Sequence, residues 1–118
     1  MTTIYGIPNC DTVKKARAWL AGNSIDAAFS DFKKSPPDAA QIEGWLQHIP
    51  LDTLLNRRGT TWRKLSETEQ AQAGSVAGAV ALMAANPSLI KRPVLEHGGR
   101  AYAGFQTALY EEIFRTAP

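Results

Sequence analysis

Thr2-Thr3-Ile4-Tyr5-Gly6-Ile7-Pro8-Asn9-Cys10-Asp11-Thr12-Val13-Lys14-Lys15-Ala16 is the stretch whose reading decides the fold. Its first half, Thr2 to Ile7, mixes β-branched and aromatic residues and reads as a short, mostly buried strand. Pro8 and Asn9 are turn formers, and Asp11 and Thr12 suit a helix start. From Asp11 to Ala21 the apolar positions Val13, Ala16, Leu20 and Trp19 recur at helical spacing, with Lys14, Lys15 and Arg17 on the other face. Gly22-Asn23 supplies the stop, and Ala27 to Phe32 reads as a second strand. Strand, helix and strand in this order form a parallel βαβ unit with a right-handed crossover.

Further along, Ser35-Pro36-Pro37-Asp38 cannot continue a strand and opens a helix with the stripe Ile42, Trp45, Leu46 and Ile49, stopped by Pro50. The middle of the chain is expected to stay helical. Ser66 and Glu69 have capping-box spacing, and Ser75 opens a helix whose stripe is Val76, Ala79, Val80 and Met83, ended by Asn86-Pro87. Pro93 to His97 and Arg100 to Gly104 read as strands joined by Gly98-Gly99, a dipeptide suited to a two-residue hairpin turn. Leu109, Tyr110, Ile113 and Phe114 mark a closing amphipathic helix. The expected class is α/β: a four-stranded mixed sheet, β-α-β then β-β-α, with a helical insertion at about residues 35–88. A single domain over residues 1–118 is expected, since no repeat or linker interrupts the pattern.

Cys10 is the only cysteine, and it falls on the strand-to-helix junction. There the first backbone N–H groups of a helix lack intrahelical partners and the helix dipole is positive, so a thiolate is favoured. Such settings lower a thiol pKa from about 8.5 into roughly the 3.5 to 7.5 range. Lys14 and Lys15 work in the same direction and Asp11 against it. A buried, inert thiol is the alternative, but reactive groups concentrate on loops of this kind.

Composition narrows the function classes. No apolar run reaches the roughly 18 residues of a membrane span, so no membrane partner is expected. Formal charge is only +2 and basic residues never run beyond two in a row, which argues against a nucleic-acid partner. A lone cysteine forms no intramolecular disulfide and suits a reducing, cytoplasmic setting. One Cys and two separated His give no metal-ligand spacing, so no metal is expected. His48, near a helix end, and His97, beside the hairpin, have no motif and read as structural.

A catalytic thiolate needs cations nearby. Leu54-Leu55-Asn56-Arg57-Arg58-Gly59-Thr60-Thr61-Trp62-Arg63-Lys64 supplies several, either as a binding feature or as a solvated face. Arg92 precedes Pro93, which favours extended backbone, at the point where the chain re-enters the sheet. Its fork of N–H donors suits carboxylates and oxyanions, a surface ion pair being the plainer use.

These three segments, Tyr5 to Ala16, Leu54 to Trp62 and Ile90-Lys91-Arg92-Pro93, resemble the ArsC/Spx family, in its YffB-like branch, and the match spans essentially the whole chain. The resemblance implies a thioredoxin-like fold, a cis Arg92–Pro93 peptide near the thiol, and Cys10 as nucleophile. It carries Arg58 and Arg92 over as catalytic arginines, with Arg57 one residue away as the alternative to Arg58. Asn9, Asp11, Thr12, Arg57 and Pro93 fall where substrate is bound, although Asn9 also suits a plain turn role. Arsenate reductases of the family use a further arginine after the last strand; the corresponding stretch here is Ala101-Tyr102-Ala103-Gly104-Phe105, and Arg100 lies on the turn side of the hairpin. Regulators of the family use a Cys-x-x-Cys pair, and position 13 here is Val.

The expected function is therefore a glutathione-dependent thiol oxidoreductase whose single nucleophilic cysteine forms a mixed disulfide with glutathione. No cofactor is expected to be bound; glutathione serves as co-substrate beside a small oxidised or oxyanion substrate, with a glutaredoxin as a further partner and the chain a monomer. The alternatives are an arsenate reductase and a non-catalytic, Spx-type module that binds RNA polymerase.

Overall fold

The computed structural model describes residues 2–115. Strand β1 (Thr2–Gly6) leads into helix α1 (Asp11–Gly22) and strand β2 (Ala28–Asp31), which pairs parallel to β1 with Ile4 opposite Phe29. Five helical segments follow: α2 (Ala39–Leu46), α3 (Leu51–Leu54), α4 (Thr60–Lys64), α5 (Glu67–Gln72) and α6 (Val76–Ala85). A 3-10 turn at Pro87–Leu89 precedes strands β3 (Val94–His97) and β4 (Arg100–Ala103) and helix α7 (Thr107–Phe114). The sheet order is β2-β1-β3-β4, with β3 antiparallel to both neighbours. This is the mixed α/β, thioredoxin-like arrangement expected from the sequence.

Alternation along the strands divides the core in two. Ile4 and Leu95 face α1 and α7, where they meet Ala16, Leu20, Tyr110 and Ile113. Val94 and Ala101 face the insertion, where Ile42, Trp45, Val80 and Met83 cover them. Gly6 ends β1 directly beneath α1: a Cβ there would stand 2.7 Å from Val13 Cγ2, so the absent side chain lets the helix close onto the strand. Val13 itself is wholly buried.

The local signals act as the sequence suggests at most helix starts. Asp38 accepts from the Gln41 N–H at 2.8 Å, and Ser66 and Glu69 form the reciprocal capping box. Gly98 and Gly99 take φ of +62° and +80°, the left-handed values a two-residue hairpin turn needs.

Several expectations require correction. The first helix stops where Gly22-Asn23 predicts, with Asn23 as its C-cap, but the left-handed residue is Ser24 at φ 58°, whose N–H donates to Ala21 O while that of Ile25 donates to Leu20 O. Helix α2 ends at Leu46, so Ile49 enters the core from a turn rather than from the helical stripe. The middle of the chain is helical as expected, as a run of short helices. Val76 is 58 % exposed because it opens α6 one turn before that helix meets the core at Ala79.

Candidate functional site

Cys10 caps the N-terminus of α1 in an extended conformation (φ −86°, ψ 126°). Its backbone is fixed on both sides: the Cys10 N–H donates to Ile7 O at 3.2 Å, and Cys10 O accepts from the Lys14 N–H at 2.9 Å. The thiol is therefore presented by a tight turn between a buried strand and a docked helix. Burial pushes the thiol pKa up, but the Val13 N–H, the Arg92 guanidinium and the Thr12 N–H, with the positive charge of Arg92, together outweigh it. The net result is a thiol held below its ordinary value.

Arg92 arrives from a different part of the chain. The Arg92–Pro93 peptide is cis, and Pro93 O accepts from the Gly104 N–H at 2.8 Å where β4 ends. Arg92 Nη1 donates to Ser88 O at 3.2 Å, while Nε is buried with no partner. Ile7, Phe32, Lys33, Pro36, Pro87 and Ser88 line a hollow of about 200 Å³ beside it. Of the sequence-derived residues, Cys10, Thr12, Arg92 and Pro93 thus come together; Asn9 and Asp11 flank the thiol on exposed positions of the same turn.

Arg57 and Arg58 lie elsewhere. Arg57 donates to Asp52 Oδ1 at 2.8 Å and sits 5.7 Å from the Trp62 ring, while Arg58 is exposed and only its backbone N–H is bonded, to Asn56 Oδ1 at 3.0 Å. Neither arginine is among the groups that act on the sulfur. What ties their loop to Arg92 is an isolated antiparallel bridge between Leu55 and Ile90. Across it the Asn56 N–H donates to Leu89 O at 2.7 Å and the Lys91 N–H to Leu54 O at 2.8 Å. Asp52, Asn56, Arg57, Arg58 and Lys91 thereby line a single groove of about 380 Å³. Lys91 is a member the sequence reading passed over; its only local signal was its place in Lys91-Arg92-Pro93.

Arg100 pairs with His97 beside the hairpin turn, whereas Val94 and Ala103 pair at the end nearer the thiol. Arg100 is therefore remote from Cys10, as its turn-side position suggested. His97 Nδ1 shares a hydrogen bond with Thr2 Oγ1 at 2.8 Å, and exposed His48 lines a separate cavity of about 400 Å³ with Glu96 and Trp45. Among the described residues no group of His, Cys, Asp or Glu side chains is arranged to hold a metal ion. No helix among them is long and apolar enough to cross a membrane.

A thiol of lowered pKa on a thioredoxin-like scaffold, with an arginine beside a cis-proline, defines a class of protein. The sequence pattern of the ArsC family matches residues 5–113, and the chain belongs to that family. It is similar in structure to a YffB protein, with 43% identity, a TM-score of 0.89 and coverage of 96% of this chain and 98% of that one. An arsenate reductase-related protein from Brucella melitensis shares 49% identity over 97% of this chain and 94% of its own, with a TM-score of 0.73. The global transcriptional regulator Spx from Streptococcus pyogenes is 30% identical over 108 residues, covering 89% of this chain and 78% of the regulator.

Proposed function

We propose that the protein is a glutathione-dependent thiol oxidoreductase with Cys10 as its nucleophile. The observation that carries this reading is the Cys10 thiol, held below its ordinary pKa at the start of α1 beside Arg92. Such a thiol supplies more thiolate at a given pH than a free cysteine does, and thiolate is the form that attacks disulfides. On a substrate R–S–S–G, the Cys10 thiolate attacks the glutathione sulfur, the substrate disulfide breaks, and RS⁻ leaves and takes a proton. The Cys10–S–S–G bond is then attacked at its glutathione sulfur by a second glutathione thiolate. Cys10 is released as thiolate and oxidised glutathione departs, so the two electrons come from glutathione. Arg92 stabilises Cys10 both as attacking group in the first step and as leaving group in the second.

Val13 occupies the position of the second cysteine in the Cys-x-x-Cys regulators and is wholly buried, so the resolving thiol must come from outside the chain. That favours the enzyme reading over a Spx-type redox switch. Arsenate is disfavoured as substrate because Arg100 is remote and the thiol end of β4 carries Ala103 and Gly104.

Intact-mass spectrometry after incubation with oxidised glutathione tests the proposal. One glutathione per chain, mapped to Cys10 and absent from Cys10→Ser, is expected. A protein that stays unmodified while free cysteine in the same tube reacts would refute it.

A further inference from the structure

Three cations and one carboxylate line the groove between α3 and β3, and they are not equivalent. Asp52 is already paired with Arg57 at 2.8 Å, which leaves the charges of Arg58 and Lys91 uncompensated within the groove. Neither side chain has a hydrogen-bond or ion-pair partner among the described residues. Both are nevertheless placed by a rigid root, since the Leu55–Ile90 bridge locks the two backbone segments from which they rise.

Lys91 is held further by its stem. A Cβ added at Gly104 would stand 2.9 Å from Lys91 Cε and 3.6 Å from Nζ, so the lysine lies across the bare backbone of Gly104. Gly104 has φ of +81°, which glycine adopts readily, and its N–H is bonded to Pro93 O. The residue just past the last strand therefore has no side chain, and the space is filled by the end of the Lys91 side chain from the adjoining segment. Lys91 and Arg92 are consecutive, about 3.8 Å apart at Cα, yet they line different hollows. Arg92 acts on the sulfur, whereas Lys91 joins Arg58 in the groove.

We propose that this groove is the carboxylate subsite of the enzyme, in which Lys91 and Arg58 grip the carboxylates of the thiol partner while Arg92 attends to its sulfur. This rests on the glutathione reading above and assigns Lys91 as a specificity-determining residue. Arg58 supplies a planar fork and Lys91 a compact point charge, a pair suited to two carboxylates at the ends of one short peptide.

The test compares two disulfides on the reduced protein: oxidised glutathione, which carries carboxylates, and hydroxyethyl disulfide, which carries no charge. In each case the Cys10 thiolate attacks one sulfur, a Cys10 mixed disulfide forms and the other half leaves as thiolate. The readout is the ratio of the two second-order rate constants. Lys91→Ala is expected to lower that ratio about tenfold, the scale of one charge-assisted hydrogen bond, and Lys91→Arg to recover most of it. Arg58→Ala should lower it similarly. The iodoacetamide pH profile of Lys91→Ala should track the parent, which separates substrate selection from a change in the thiol. A ratio within about twofold of the parent in both alanine variants overturns the subsite. Equal slowing toward both disulfides does so as well. If the parent reacts with hydroxyethyl disulfide but forms no glutathione adduct, the glutathione reading falls and the subsite with it, a result visible before any variant is made.

Discussion

The polar side chains on the α2 side of the sheet and those around the thiol follow opposite rules. Beneath α2, the Tyr5 hydroxyl donates to Glu96 Oε1 at 2.8 Å and Trp45 Nε1 donates to Glu96 Oε2 at 2.7 Å. On the opposite face of the sheet, toward α7, Thr2 and His97 likewise satisfy each other. Each partner there is an internal one, and the aromatic rings of Tyr5 and Trp45 meet edge-on at 5.2 Å. Beside the thiol the pairing stops short, since Arg92 keeps a buried Nε without a partner, and in the separate groove next along the chain Arg58 and Lys91 stand with unspent charge. A closed polar network specifies packing and register, whereas unmet donors beside a nucleophile are capacity for a ligand. The Tyr110 hydroxyl is buried without a partner as well, so it is the pairing of an unmet donor with a thiol that makes the Arg92 hollow the candidate site.

Removing the acceptor of the closed network should have the largest effect. Glu96→Ala strands the Tyr5 and Trp45 donors, and urea unfolding is expected to show a loss of about 2–4 kcal/mol, with the alkylation profile of Cys10 preserved. A shifted thiol profile in that variant would mean that the two regions are energetically joined. Arg92→Ala is the converse experiment. It should move the iodoacetamide midpoint of Cys10 upward and slow alkylation at pH 7, with little change in the urea midpoint. An unchanged midpoint would remove Arg92 from the groups that favour the thiolate.

The smallest expected effect is a contrast in pH dependence. Burial first, and then the hydrogen bond and charge of Glu96, push Tyr5 up to about 12. Because the folded value lies above the unfolded one of about 10, the Tyr5 contribution is complete below pH 10 and is lost as pH rises toward 12. Cys10 has the opposite sign. Its folded value is depressed, so its contribution is complete above about pH 8.5 and is lost as pH falls through the folded value. Urea midpoints of Tyr5→Phe and Cys10→Ser, each relative to the parent, should therefore diverge from it in opposite pH directions. Parallel curves would contradict the assignment of the two environments.

Sequence reading reached the elements whose signals are local. The junction at Pro8-Asn9-Cys10-Asp11, the capping residues Asp38, Ser66 and Ser75, and the turn at Gly98-Gly99 are each decided within a few residues. The hydrophobic alternation of β1, β3 and β4 follows from which faces the helices cover. What escaped was long-range or balanced between neighbours. Val76 carries an apolar side chain, but its place one turn ahead of the core contact leaves it in solvent. Ser24 took the left-handed cap because Asn23, although a common choice, stayed at φ −104°. The convergence of Arg58 with Lys91 depends on hydrogen bonds between segments more than thirty residues apart, and the lysine's place depends on what Gly104 lacks. No periodicity encodes such a contact.

The Leu55–Ile90 bridge gives the later part of the insertion, residues 56–89, a common point of departure and return. Between them run α4, α5 and α6, and α5 has no buried residue of its own. The excursion is thus a loop clasped at its neck, with α4 and α5 at its outer, unburied part and α6 returning into the core. Substitutions on the exposed faces of α4 and α5 therefore touch neither the core under α6 nor the Pro87–Ser88 turn that meets Arg92. The same fold can thereby acquire new outer surfaces without renegotiating the position of its thiol.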